Sequence, residues 1–499
     1  MPSHIQPKRF WGNGDRKTGL LGLWAFVAIF LILLTTACYL GRLANCGTPG
    51  RGLGDFSQAA GDHLSYIGAM ENYLASGQYY FTNMHGDVVF AGRMPHYAMP
   101  YWLLRHFFNA GVSSDLIVLL HVALLAFAIW LSTTVVVEHT GRRWAGWLFA
   151  VIALTCPHLV PWTTLLTPDG SGAALLTIVV ILFHRTLAQE ALRHMFQCSM
   201  ALCALIVIKP YYALLVPLVA FAWWWQHRNT RTAARIGLIL GVPLLLALAP
   251  WWVRNLKYFD HFFPFQQDLY AGYGYSAPEL KVRALLIRMG EEPSTWWEPR
   301  SLACRLKLDP PLPCSAQWPG YLSKEIKERL VAAEELFLTY QRDPTDRNAT
   351  LALHGIDGAT RAYNHEYPLR TTFLNRPLLV WRFLVNSGSY HLPINSGNPC
   401  YSPVQLVPKV LASLGYILSL VGALFGVYTM FRREWVLVVW LVPALYLILL
   451  FPGYIGLVEW RYFIGAYLCN LILFVILIAR LWRLALDRVA TIKGASLTP

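Results

Sequence analysis

The sequence predicts an all-α polytopic membrane protein with about ten transmembrane helices, interfacial helices in a first outer loop and a larger second outer loop. Three observations predict it. Of 499 residues 56% are hydrophobic and only 14% charged, against about 25% charged in soluble domains. Apolar runs of bilayer length recur along the chain, and Lys and Arg fall in short clusters between them. A net charge of +14 would suit a nucleic-acid ligand only if it formed a basic domain, and it forms none, so no nucleic acid is expected as a partner.

The spans read in order as Leu20–Leu40, Asp115–Val137, Trp144–Trp162, Gly172–Phe183, Gln197–Ile208, Tyr211–Trp225, Ile236–Trp252, Leu406–Met430, Trp435–Pro452 and Tyr462–Trp482. The first run has no small-residue cleavage site close behind it, so it is expected to be retained and not removed as a signal peptide. With the N-terminus inside, the inner segments carry Lys8, Arg9, Arg16 and Lys17; Arg142 and Arg143; Arg185 and Arg193; Arg228, Arg231 and Arg235; Arg432 and Arg433; and Arg483, Arg488 and Lys493. Each inner segment is basic, as the positive-inside rule requires. Reading 197–225 as one broken span would put Arg228, Arg231, Arg235, Arg432 and Arg433 outside, so two short helices meeting at Lys209-Pro210 are expected.

This threading leaves loops 41–114 and 254–405 on the far side. In the first, GDHLSYIGAMENYLASGQYYF (61–81) reads as an amphipathic helix. Leu64, Tyr66, Ile67, Met70, Tyr73 and Leu74 share its apolar face, and Glu71, Asn72 and Ser76 turn away. In the second, SKEIKERLVAAEELFLTYQ (323–341) reads as a helix capped by Ser323, and 368–390 as an apolar stretch able to lie on the bilayer. Of nine cysteines, Cys38, Cys156, Cys198, Cys203 and Cys469 belong to apolar runs. Cys304, Cys314 and Cys400 fall in the second outer loop, where a disulfide can persist; Cys304–Cys314 is the pairing expected, with Cys400 its competitor.

Ionisable residues gather on the same outer side: Asp62, Arg93, Asp169 in TTLLTPDGSG, Lys209, Arg254 in APWWVRN, and Glu459 and Arg461 in VEWRYFIG. Each has a plain structural reading. Asp62 and Asp169 suit helix caps, Arg254 and Arg461 suit interfacial anchors, and Lys209 suits a break between short helices. Two aspartates and four bases on one face also suit a site that neutralises a phosphate and positions a general base.

The order D-x-x-x-Y then L-x-x-G at Asp62, Tyr66, Leu74 and Gly77 resembles the first outer loop of the GT-C superfamily, in its protein O-mannosyltransferase-like and lipid A aminoarabinose transferase-like branch. AGRMPHYAMPYWLL, TPDGSGAALL, PWWVRN and VEWRYFIG are similar, in the same order, to that branch's basic-Pro-aromatic segment, acidic turn, span end and late-span start. His63 departs from the Glu that often follows the family's Asp.

The resemblance implies an inverting membrane glycosyltransferase in a bacterial inner (plasma) membrane, with cytoplasmic termini. It would move a sugar from a polyprenyl-phosphate carrier to an extracytoplasmic glycan, lipid or protein. It implies Asp62 and Asp169 as catalytic residues, and Arg93, Lys209, Arg254 and Arg461 on the donor phosphate. Tyr66, His63, Glu459 and Tyr462 would line the substrate. Asp62 and Asp169 could share a divalent Mg or Mn ion; no other cofactor is expected. The layout is 1–19 cytoplasmic, 20–253 a transmembrane GT-C-like catalytic module with outer loop 41–114, 254–405 an extracytoplasmic subdomain, 406–482 the last transmembrane helices and 483–499 a cytoplasmic tail. Two rivals are an O-antigen ligase or polymerase, favoured by outer-loop histidines, and a transporter, which would be expected to carry mid-membrane charges or a repeat.

Overall fold

The computed structural model describes residues 17–45, 53–59, 62–82, 88–90, 92–155, 159–189, 192–227, 230–260, 262, 264–265, 276–289, 321–375, 406–447 and 464–495. Cys156, Cys304, Cys314, Cys400, Glu459, Arg461 and Tyr462 lie outside them, as do 376–390 of the stretch expected on the bilayer. Among the described residues five helices are long and apolar enough to cross a membrane: α1 (Lys17–Asn45), α4 (Ala110–Thr140), α7 (Asp169–Gln189), α10 (Thr230–Phe259) and α15 (Ile464–Ala495). Among them pack further apolar helices: α5 (Arg143–Leu154), α8 (Leu192–Ile208), α9 (Leu215–His227) and α14 (Leu406–Phe431), with a broken segment at Trp435–Leu445.

Besides the expected span Trp435–Pro452, which is broken over its described part, two spans differ from the sequence reading. Trp144–Trp162 is not one helix: α5 stops at Leu154, three residues before Pro157, which cannot extend a helix, and α6 (Val160–Thr164) follows. Gly172–Phe183 lies inside a longer helix, α7, whose first residue is Asp169 and whose polar C-terminal turns extend it beyond the apolar run.

Side-chain contacts fix the directions of the helices. Phe26 of α1 meets Trp130 at 6.1 Å between ring centroids, whereas Gly41 lies against the Phe56 backbone, itself held by Asp115 at the start of α4. α1 and α4 are therefore antiparallel. His121 lies beside Thr163, just before α7, and His139 contacts His184 at 3.1 Å, so α4 and α7 run the same way with α5 returning between them. α7 and α8 are antiparallel, through Cys198 to the Val179 carbonyl and Lys209 to Asp169.

α8 and α10 run in the same direction. Pro243 has no N–H for the Ile239 carbonyl, which accepts the Ser199 hydroxyl instead. Four residues on, Cys203 Sγ lies 3.5 Å from the Pro243 oxygen. α9 ends at His227 and α10 begins at Thr230, a link of at most about 11 Å. That is too short to recross the bundle, so α9 runs back against both. Lys209-Pro210 is thus a chain reversal between two helices, made by the non-helical Lys209 backbone and a single 3₁₀ turn, Pro210–Tyr212. α14 and α15 form another parallel pair, with Ser419 beside Asn470 and Glu434 paired with Arg480 at 2.6 Å.

These directions collect Asp62, Arg93, Asp169, Lys209 and Arg254 at one end of the bundle. Arg185, paired with Glu138 at 3.5 Å, and Arg480, paired with Glu434, lie at the other. A second hydrophobic core stands apart, formed by α11 (Ala277–Arg288), α12 (Lys324–Arg342) and α13 (Asp346–Glu366) around Ile326, Phe337, Ile356 and Tyr363. Ser323 caps α12 by accepting the Ile326 N–H at 3.3 Å, as its sequence suggests.

Candidate active site

The site is assembled by a short parallel bridge between two segments far apart in sequence. The Asp115 carboxylate accepts the backbone N–H groups of Asp55 at 2.8 Å, Phe56 at 3.3 Å and Ser57 at 2.9 Å, which fixes the chain leading out of α1. The Gln58 N–H donates to the Thr164 carbonyl at 2.9 Å, and the Leu166 N–H donates to the Gln58 carbonyl at 3.2 Å. The Gln58 side-chain amide also donates to the Thr164 hydroxyl at 3.0 Å. From the paired positions Gln58 and Leu165, Asp62 and Asp169 are each four residues on. Equal chain lengths from one anchored pair carry the two acids toward the same end of the molecule.

Asp62 ends the turn before a π-helical turn, Leu64–Gly68, which continues into α2 (Ala69–Ser76) and stops at Gly77, whose φ of 74° suits a residue without a Cβ. Ser65, Tyr66, Ile67, Ala69 and Met70 are buried. The expected face needs correction at four positions. Leu64 and Tyr73 are 55% and 41% exposed. Glu71 and Asn72 turn inward: Glu71 accepts hydrogen bonds from Tyr101 and from Arg105 at 2.7 Å, and Asn72 donates to the Tyr80 carbonyl at 2.9 Å. The π turn shifts the register, and polar partners from α3 (Met99–Arg105) draw Glu71 in. Burial alone would raise the Glu71 carboxyl's pKa, but the Arg105 and Tyr101 hydrogen bonds outweigh it and hold it below its usual range.

The Asp62 carboxylate faces the Arg93 guanidinium at 3.9 Å, both side chains largely buried. Arg93 also donates through Nε to the Ser65 hydroxyl at 3.4 Å and lies over the Tyr66 ring at 4.7 Å. Tyr66 meets Tyr97 edge-on at 5.1 Å. The Tyr97 hydroxyl lies 3.2 Å from His121 Nε2, and His121 Nδ1 lies 3.0 Å from the Thr163 carbonyl. A carbonyl only accepts, so Nδ1 carries the imidazole hydrogen and Tyr97 donates to Nε2. Burial, then the nearby Tyr66 and Asp169, push the Tyr97 hydroxyl far above its ordinary pKa and keep it a donor. His63 is half-buried on the residue before the π turn.

Asp169 opens α7 and forms a short ion pair with Lys209 at the end of α8; 3% and 6% of the two side chains are exposed. The GSG that follows Asp169 permits this approach. A Cβ on Gly170 would lie 2.8 Å from the Trp162 carbonyl oxygen, and one on Gly172 would lie 2.9 Å from Lys209 Cδ. Arg254 donates to the Tyr79 carbonyl at 3.0 Å and to Asn255 Oδ1 at 2.9 Å, and lies 5.0 Å over the Trp251 ring. Tyr79 lies in the field of both Arg93 and Arg254. Five of the expected site residues thus occupy one end of the bundle, beside Tyr66 and His63.

Gln58, Asp115, Tyr97 and His121 were not singled out by the sequence reading. His121 carried a usable signal, an ionisable residue inside the apolar run LLHVALLAF. For a shared divalent ion the residues fit poorly, because each carboxylate already faces a cation of its own. Among the described residues no group of three or more His, Cys, Asp and Glu side chains is placed to hold a metal.

Two solved structures are similar to this chain. ArnT from Cupriavidus metallidurans, a lipid A aminoarabinose transferase, bound to undecaprenyl phosphate, is 15% identical, with a TM-score of 0.37 over 92% of this chain and 77% of that one. The same protein in the apo state is 14% identical, with a TM-score of 0.33 over the same shares. No family model and no curated protein sequence matches the chain. At this likeness neither fold nor chemistry follows from ArnT, and the residues themselves carry the reading.

Proposed function

We propose that the protein is an integral membrane glycosyltransferase of the GT-C type, moving a sugar from a polyprenyl-phosphate carrier to an extracytoplasmic acceptor with inversion at C1. The observation that carries this reading is the gathering of Asp62–Arg93, Asp169–Lys209 and Arg254 at one end of an apolar bundle. A lipid-linked donor keeps its tail in the bilayer and its sugar phosphate at that depth. The acceptor hydroxyl or amine attacks C1, its proton passes to the Asp62 carboxylate, and the bond from C1 to the phosphate oxygen breaks. The electron pair leaves with polyprenyl phosphate, which Arg93 and Arg254 stabilise.

The two carboxylates suit different tasks. At 3.9 Å the Asp62–Arg93 pair is loose enough to exchange partners. A donor phosphate that draws Arg93 toward itself raises the basicity of Asp62 at the moment a base is needed. Asp169 is neutralised by Lys209 in a buried contact and serves to hold that lysine in place.

The test is chemical. Purified protein given synthetic polyprenyl-phosphate sugars and an envelope extract as acceptor should release free polyprenyl phosphate and form a product of inverted anomeric configuration. Absence of release from every hexosyl, pentosyl and aminosugar donor would reject the reading. The proposed orientation, with α11–α13 outside, has its own check. Single cysteines at Ser323 and Thr345, in a background without the native ones, should react with an impermeant maleimide in spheroplasts. Labelling at Thr230 instead would invert the topology.

A further inference from the structure

Four buried polar atoms without a hydrogen-bond partner line one seam beside Arg254: His96 Nδ1, Tyr79 Oη, Trp251 Nε1 and Asn255 Nδ2. Ala247, Trp251 and Asn255 are spaced by four along α10 and so share a face. The first loop covers that face, because His96 Nε2 lies 2.9 Å from the Ala247 carbonyl and Arg254 holds the Tyr79 carbonyl. Asn255 is 0% exposed, Trp251 2% and Tyr79 8%. Leaving such atoms unpaired costs free energy, and a row of them in a folded chain calls for a polar occupant.

The chemistry of the row defines that occupant. Since Nε2 of His96 faces a carbonyl, it carries the hydrogen, and Nδ1 is an acceptor. Burial lowers the His96 pKa, against a smaller opposing effect of the Ala247 carbonyl, which keeps the ring neutral. Burial also raises the Tyr79 hydroxyl's pKa despite the neighbouring Arg93 and Arg254, so it remains protonated, able both to donate and to accept. Trp251 and Asn255 supply N–H donors. The seam is uncharged, offers both donors and acceptors, and borders the guanidinium proposed for the phosphate.

We propose that this seam is the subsite for the donor's sugar, recognising ring hydroxyls through Tyr79, His96, Trp251 and Asn255 while Arg254 holds the phosphate. A hydroxyl both donates and accepts, so it can satisfy each atom of the row; a second phosphate would meet the lone pair of His96. The inference rests on the glycosyltransferase reading and extends it to residues with no other assigned role.

The test compares two probes in binding assays: a short-chain polyprenyl phosphate, and the same lipid carrying a hexosyl group. Tyr79→Phe removes one hydroxyl and leaves the carbonyl held by Arg254, and Trp251→Phe removes one N–H. Each should weaken the glycosylated lipid about five- to tenfold, the loss of one hydrogen bond, and change the bare lipid less than twofold. Arg254→Gln should weaken both lipids. Equal weakening of both lipids by Tyr79→Phe and Trp251→Phe, or no weakening of either with unfolding unchanged, would overturn the sugar subsite alone. Failure of the unmodified protein to bind either lipid would overturn the donor reading and the subsite with it.

Discussion

Asp62→Asn is expected to lower turnover by about a hundredfold to ten-thousandfold, the usual value of a positioned general base, with thermal unfolding in detergent nearly unchanged. The amide keeps the size of the carboxylate, and the turn it closes is held by its backbone, since the Asp62 carbonyl accepts from the Ser65 N–H at 3.1 Å and hydroxyl at 2.7 Å. What the amide cannot do is accept a proton. It also leaves Arg93 without its carboxylate, so donor binding should hold or tighten while the chemical step fails. Asp55→Asn is the control: Asp55 is exposed and contributes its backbone N–H to Asp115, so a mild effect is expected. Near-wild-type turnover in Asp62→Asn with a purified lipid-linked donor would remove Asp62 from the chemistry. Unfolding of the variant would mark it as a structural cap.

The second large effect is on stability. Lys209→Met removes the buried cation that faces Asp169, and Asp169→Leu removes the carboxylate that faces Lys209. Breaking a buried pair from one side typically costs about 3 to 5 kcal/mol. Methionine keeps the unbranched stem that packs against Gly172, so the loss reports the charge and not the packing. The double variant should recover much of the stability, because a buried pair is often replaceable by apolar groups of similar volume. Its turnover should stay low if the pair holds α7 and α8 in register beneath the donor phosphate. Single variants as stable as the wild-type chain would show that the pair does not neutralise itself in a buried setting.

Much was legible in the sequence for physical reasons that are local. An apolar run of bilayer length can only be a helix, since lipid offers no partner for its backbone groups. Lys209-Pro210 reads as a reversal because Pro cannot extend α8 and the basic segments on either side demand an even number of crossings. Ser323 reads as a cap from its place before an amphipathic run. The misreadings are local as well. α5 ends at Leu154 within a run that hydropathy alone joins to α6, and a π turn rotates the amphipathic face so that Glu71 meets Arg105.

By itself the sequence determined the membrane class and the segregation of ionisable groups along the chain, because composition, periodicity and charge order are properties of neighbouring residues. Only the tertiary structure decided which cation each acid meets. Asp62 pairs with Arg93 across the first loop and Asp169 with Lys209 across a hairpin, 40 residues apart in the latter case. It also decided that Gln58 bridges to Thr164 and Leu166, and that Trp251 and Asn255 share a covered face with Tyr79 and His96. These contacts depend on the order and direction in which helices pack, and ridges of Leu, Val and Ala fit many neighbours about equally well. The choice among them is made where the few buried polar groups find partners, since each left unpaired in lipid or protein interior costs more than any single apolar contact contributes.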